Sequence, residues 1–152
     1  MTRTCRTTLV IAIMAVASAS TSYAFEANDA DKLRNTNSCE NCDLAGVYMH
    51  GEDLSGAVMT GSNLTAASFD EANLTNAKLQ RTDLGGADFS EANLTNAKLQ
   101  DSNLSGAFLR RTNLTGANLT GANMDATMIA EVTYCRTTMP SGQVRRPNCS
   151  GS

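Results

Sequence analysis

The sequence predicts an all-β chain wound as a solenoid, with the backbone turning a corner every five residues. Three observations carry that prediction. A large apolar residue returns at every fifth position: Leu44, Met49, Leu54, Met59, Leu64, Phe69, Leu74, Leu79, Leu84, Phe89, Leu94, Leu99, Leu104, Leu109, Leu114, Leu119, Met124, Ile129 and Tyr134. The decapeptide EANLTNAKLQ occurs at residues 71–80 and again, unchanged, at 91–100. No proline falls between residues 39 and 134, so nothing there removes a ladder donor.

A period of five suits neither regular element. On an α-helix, five steps rotate the apolar residue by about 140°, which smears the stripe around the rod. On a flat strand, an odd period sends successive leucines to opposite faces. A corner in each unit resolves both conflicts, because every large residue can then point inward again. A small residue usually stands two positions earlier, as at Ala57, Ala67, Ala72, Ala87 and Ala97, on the same side of a short extended piece. Glycine two positions after the large residue, as at Gly46, Gly86 and Gly116, supplies conformational freedom for the corner.

Taken in chain order, residues 1–24 have the layout of a secretory signal peptide. Arg3 and Arg6 form a basic start, Leu9 to Ala17 is an apolar run too short to span a bilayer, and small residues offer cleavage after Ala19 or, as we expect, Ala24. Nothing later resembles a membrane span, and the expected location is periplasmic or secreted. Cleavage takes Arg3 and Arg6 from the 12 Lys+Arg and nothing from the 15 Asp+Glu, so the net charge moves from −3 to −5. A mildly acidic chain speaks against direct nucleic-acid binding, which needs a basic face. Residues 25–38 carry helix formers around Leu33 and are expected to cap the first coil. The array runs over 39–134. Residues 135–152 abandon the period, contain Pro140 and Pro147, and read as a hairpin or loop that a Cys135–Cys149 bond could close.

The stretch ANLTNAKLQRTDLGGADFSEANLTNAKLQDSNLSGAFLRRTNLTGANLTGANM resembles the pentapeptide-repeat family. The resemblance covers about 95 residues, and CENCDL before the array with YCRTTMP after it is similar to exported bacterial members. It implies a right-handed quadrilateral parallel β-helix, about 4–5 coils of four pentapeptides each. Twenty residues then make one coil, and the second decapeptide sits on the first, one strand spacing of about 4.8 Å along the axis. Leu74 stacks with Leu94 and Asn73 with Asn93, where asparagine ladders can hydrogen-bond. Lys78 with Lys98 and Glu71 with Glu91 are like-charge stacks that must face solvent. Counting modulo twenty gives four inner columns, of which the second is Met49, Phe69, Phe89, Leu109 and Ile129.

The candidate chemistry is sparse. Cys39, Cys42, Cys135 and Cys149 are disulfide candidates in an exported chain, with three full pairings open. Cys39-x-x-Cys42 reads as a structural disulfide or buried thiol pair. A zinc site lacks a second C-x-x-C and has one histidine to draw on, and no βαβ context supports a redox motif. The Asn-Leu-Thr sequons at Asn63, Asn73, Asn93 and Asn113 follow from the repeat. No phosphate loop, triad-like set or metal cluster is present, so no catalytic residue, cofactor or metal is assigned. The side with the least uniform exterior carries Tyr48, His50, Asp70, Glu71, Asp88, Glu91, Phe108, Arg110 and Arg111, and is the candidate partner surface. The expected function is a non-enzymatic exported scaffold that meets a protein or envelope partner. The alternative is a DNA-mimic inhibitor of type II topoisomerase, which the resemblance brings in and which a signal peptide and outward Lys78, Arg81, Lys98, Arg110 and Arg111 oppose.

Overall fold

A computed structural model of the chain describes residues 27–147 and 149. The expected signal segment, residues 1–24, lies outside the described residues.

Corners come every five residues because each large inner residue opens a tight turn. The carbonyl of Leu44 accepts from the amide of Val47 at 3.1 Å, and the same bond recurs from Ala77 to Leu74 and from Ala97 to Leu94 at 3.0 Å. The third residue of each turn has positive φ, the mark of a type II turn. Glycine meets that demand at Gly46 (φ 67°), but Glu71 (59°), Arg81 (55°) and Asp101 (57°) meet it too. A non-glycine residue there costs about 1–2 kcal/mol, and the buried residue two positions earlier, Phe69, Leu79 or Leu99, offsets the cost at about 1.5–3 kcal/mol.

Between corners only a few extended residues remain, so the ladder is built from single parallel bridges. Each joins residues twenty apart, such as Asp43↔Asn63, Lys78↔Lys98 and Asn93↔Asn113. Regular strands form among the described residues in two places. β1 (Phe108–Arg110) and β2 (Met128–Ala130) pair in parallel. β3 (Thr137–Thr138) and β4 (Val144–Arg145) pair antiparallel as a hairpin after the array. With five residues per side and twenty per turn, the path has four sides.

The inside of that path is one continuous apolar core. Leu44, Met49, Leu64, Leu74, Leu84, Leu94, Leu99 and Leu114 are all fully buried. Phe69 and Phe89 stack in the second column with centroids 5.3 Å apart and planes 9° apart, an offset-compatible contact. Serine or threonine at the small inner position donates its hydroxyl to a carbonyl of the preceding coil: Ser62 to Cys39, Thr82 to Met59, Thr112 to Phe89 and Thr137 to Leu114. A buried hydroxyl is tolerated because it has that partner. At some corners glycine is demanded by space as well as by φ. A Cβ on Gly116 or Gly121 would overlap the side-chain oxygen of Asn96 or Asp101, one coil below.

The N-terminal helix α1 (Ala27–Thr36) places Ala30 and Leu33 in the same core. It ends where Asn37, at φ 54°, returns its amide to the Leu33 carbonyl at 2.8 Å, an αL cap. Cys39 and Cys42 are bonded to each other, as are Cys135 and Cys149, with Cα–Cα distances of 5.5 and 4.8 Å.

Two expectations need correction. Ile129 is not an inner residue of the second column; it is 49 % exposed, and Met124 is only partly buried. On this side the stack ends there: β2 pairs back to β1 and among the described residues no bridge continues from it to a further coil, while Thr133 and Thr138 of the same last coil still bridge to Asn113 and Asn118. The asparagine column also bonds differently. Asn63, Asn73 and Asn103 donate across the rung to Asp43, Asp53 and Asp83 at 2.9 Å. The amide oxygen meanwhile accepts from the backbone amide and hydroxyl two residues on, at Asn63 and Asn73 over aspartate as at Asn93 over asparagine. That local Asx turn explains the Asn-Leu-Thr spelling without glycosylation.

Candidate partner surface

The rung-on-rung register decides which exterior residues meet. Tyr48, Ser68, Asp88, Phe108 and Met128 form one outward column, linked by the bridges Tyr48↔Ser68, Ser68↔Asp88, Asp88↔Phe108 and the β1–β2 pairing. His50, Asp70, Ser90, Arg110 and Ala130 form the next, two residues along each rung. Gly51, Glu71, Glu91, Arg111 and Glu131 occupy the adjoining corner, each with positive φ. All nine candidate residues therefore fall on one side of the rod.

At the N-terminal end of this side Tyr48 is 66 % exposed and stacks on His50, centroids 5.9 Å apart. His50 Nδ1 meets Asp70 Oδ2 of the next rung at 2.5 Å, and the Ser68 hydroxyl donates to the other Asp70 oxygen. That pairing, twenty residues apart, was open to sequence reading through the coil length and was missed. Toward the other end Glu91 forms ion pairs with two arginines of the rung above, Arg110 at 3.6 Å and Arg111 at 3.3 Å, and Arg111 also pairs with Glu131 at 3.7 Å. Between these clusters lies a shallow depression of about 160 Å³, lined by Asp70, Glu71, Asp88, Ser90, Glu91 and Arg110. Phe108 and Met128 stand exposed beside the arginines.

The Asp70 carboxylate raises the pKa of His50 above its ordinary value, chiefly through their hydrogen bond; partial loss of solvent opposes this, and the charges of Asp70 and Glu71 add to it. The pKa of Asp70 is held low, first by the Ser68 hydroxyl and then by His50. The sign of the linkage follows. The pairing stabilises the fold fully below pH of about 6.5, the ordinary histidine pKa, and is lost as pH rises through the higher folded value. His50 is the chain's single histidine, so one proton resonance reports it. An NMR titration is expected to place its midpoint above the ordinary value, and Asp70→Asn to lower it toward that value, with the Glu71 charge still raising it.

Elsewhere the donor atoms of Asp29, Cys39 and Cys42 lie within 4.8 Å of one another. The two sulfurs are spent on each other, which leaves no thiolate to bind a metal. No helix among the described residues is long and apolar enough to cross a membrane.

A four-sided parallel solenoid with a repetitive exterior defines a repeat protein of the β-helix class. The chain belongs to the pentapeptide repeat family: the family model described as pentapeptide repeats (8 copies) matches residues 38–76, 67–106 and 92–127. Proteins of this family fold as right-handed quadrilateral β-helices and act in general as structural or interaction proteins. Among solved structures, the chain is similar to the pentapeptide repeat protein Rfr23 of the cyanobacterium Cyanothece 51142, at 26 % identity over 74 % of this chain and 95 % of that one, TM-score 0.47. It is also similar to a pentapeptide repeat protein of the Arabidopsis thaliana thylakoid lumen, at 36 % identity over 57 % of this chain and 64 % of that one, TM-score 0.41. QnrB1, a plasmid-mediated fluoroquinolone resistance protein, aligns at 20 % identity over 64 % of this chain and 45 % of its own, TM-score 0.43. The chain thus spans less than two thirds of the last two. Among curated proteins none matches.

Proposed function

We propose that the chain is a non-enzymatic, exported interaction scaffold of the periplasm or cell envelope. In this reading residues 1–24 are a signal peptide cleaved after Ala24, α1 and the β3–β4 hairpin cap a rod of about 4–5 coils, and the side bearing Tyr48 to Arg111 meets a protein partner. The observation that carries it is the contrast between sides. Most of the exterior repeats small polar residues, whereas this side gathers exposed Tyr48 and Phe108, an acidic depression and paired arginines. Exposed aromatics and arginine are the residue types that interfaces favour. The two disulfides support export, since such bonds persist in oxidising compartments.

The topoisomerase reading is supported less well. A duplex mimic needs a continuous anionic surface, and here Lys78, Arg81, Lys98, Arg110 and Arg111 interrupt the acids. A gyrase supercoiling assay separates the two.

The test of the main reading starts with the intact mass of the protein from its native host, with and without reduction and alkylation. A chain starting at Phe25 with two disulfides is the expected result. A photo-crosslinker at Tyr48 should then capture an envelope protein, and the same probe at Lys78, on another side, should not. An uncleaved chain with free thiols overturns export.

A further inference from the structure

We propose that the surface from Tyr48 to Met128 pairs with the same surface of a second copy, the two rods lying antiparallel, side by side. This goes beyond the scaffold reading by naming the partner, and it rests on that reading only for which side is used.

The argument is charge complementarity in a fixed register. A two-fold dimer through a flat side has its axis in the interface, either along the rods or across them. With the axis along the rods, each rung faces the same rung of the second copy with its positions reversed, so an axis at this corner sets Asp70 opposite Glu71 and Arg110 opposite Arg111. That arrangement is repulsive. With the axis across the rods at the rung of Asp88, rungs exchange in order while positions within a rung are kept. Asp70 then faces Arg110 of the second copy, Glu71 faces its Arg111, and Tyr48 faces its Met128. Each pair occurs twice.

No opposed charge is left unanswered elsewhere in this register. His50 faces Ala130, and Glu131 faces Gly51. At the centre Glu91 faces itself with Arg110 and Arg111 of its own chain beside it, so in this register the two arginines are shared between Glu91 and the opposing Asp70 and Glu71. Asp88, also facing itself, is turned toward the backbone and accepts from the Ser90 amide at 2.8 Å. Shifting the axis by half a rung, to lie between Asp88 and Phe108, sets Glu71 against Glu131 and leaves Asp70 opposite Ala130. The complementarity therefore selects one orientation and one register.

The patch is small. Five rungs at about 4.8 Å span about 19 Å, so the contact falls below the roughly 800 Å² per partner of a standard interface. A weak dimer held largely by charge follows, one that salt dissociates.

Sedimentation equilibrium of the mature chain, run to about 1 mM, tests this, with dissociation expected to weaken binding about tenfold between low and high salt. Two charge-reversed variants make the test specific: Asp70→Arg with Glu71→Arg, and Arg110→Glu with Arg111→Glu. Each alone sets like charges opposite one another and should be monomeric, with far-UV circular dichroism confirming its fold. Mixed in equal amounts they should form a heterodimer, because each variant's new charges face the other's complement. Dimers in either variant alone, or no heterodimer from two folded variants, overturn the proposal. A wild-type chain that stays monomeric overturns it too, and leaves the surface to a different protein, which the Tyr48 crosslink would capture.

Discussion

Truncating Phe89 to alanine is expected to lower the unfolding free energy by about 3–5 kcal/mol, the range for a fully buried phenylalanine. Phe89 has no exposed surface, stacks on Phe69 below it and lies under Leu109 above it. Its removal leaves a void that neighbouring coils cannot close, because each coil is held at one strand spacing by the bridges Ser68↔Asp88 and Asp88↔Phe108. Relaxation into the cavity would require breaking that ladder, which places the cost toward the upper part of the range. Ile129→Ala is the matched control, since Ile129 occupies the same frame position two coils on yet is 49 % exposed. Its loss should cost less than about 1 kcal/mol. Urea unfolding of both variants checks the pair, and equal losses would mean that the last coil is covered and that the column continues past Leu109.

The contrast between Phe89 and Ile129 marks how far the sequence could be read. The five-residue return of a large side chain identifies both as inward, and for Phe89 that is correct, because burial inside a solenoid depends on a coil above as well as one below. Ile129 has the right spacing but no coil after it. Periodicity carries no information about where the stack stops. The corners show a similar limit. Glycine at Gly46 or Gly116 advertises a positive φ, whereas Glu71, Arg81 and Arg111 adopt it without any local signal. They do so because the inner residues and ladder on both sides fix the backbone, a tertiary constraint that local propensity does not express. Thr82 and Thr112 look like departures from the small-residue rule until the carbonyls of Met59 and Phe89 supply their partners.

The candidate surface was legible in outline for the same reason. Counting by twenty brings Tyr48, Asp88 and Phe108 into one column from spacing alone. The same count sets His50 beside Asp70, but it does not say that Glu91 takes both arginines, because those contacts depend on rotamers. Nor does a lone histidine in a polar stretch signal an ion pair until the coil places a carboxylate beside it.

Replacing Cys135 and Cys149 by serine is expected to be the second large perturbation, and a local one. The bond closes a loop with a sequence separation of 14 around the β3–β4 hairpin, and the chain-entropy model assigns such a loop about 3 kcal/mol. The bond Cys39–Cys42, with a separation of 3, should contribute about 1 kcal/mol less by the same logarithm. In a quasi-one-dimensional rod the effect should stay near its own end. Hydrogen exchange is the measurement that resolves this. Opening of the amides of Leu119 and Thr138, which hold the last rungs, should become about 3 kcal/mol easier. The Leu74 and Leu94 amides, in the middle of the ladder, should keep their protection. The hairpin matters because Asn118↔Thr138 is the last bridge on its side among the described residues. Once it opens, the coil beneath presents an unpaired parallel edge, the kind of edge that recruits foreign strands. Concentration-dependent association of the double serine variant, absent from the wild-type chain when salt suppresses side-by-side pairing, would show that the bond guards that end. Uniform loss of protection along the whole rod would show instead that the coils unfold as one cooperative unit.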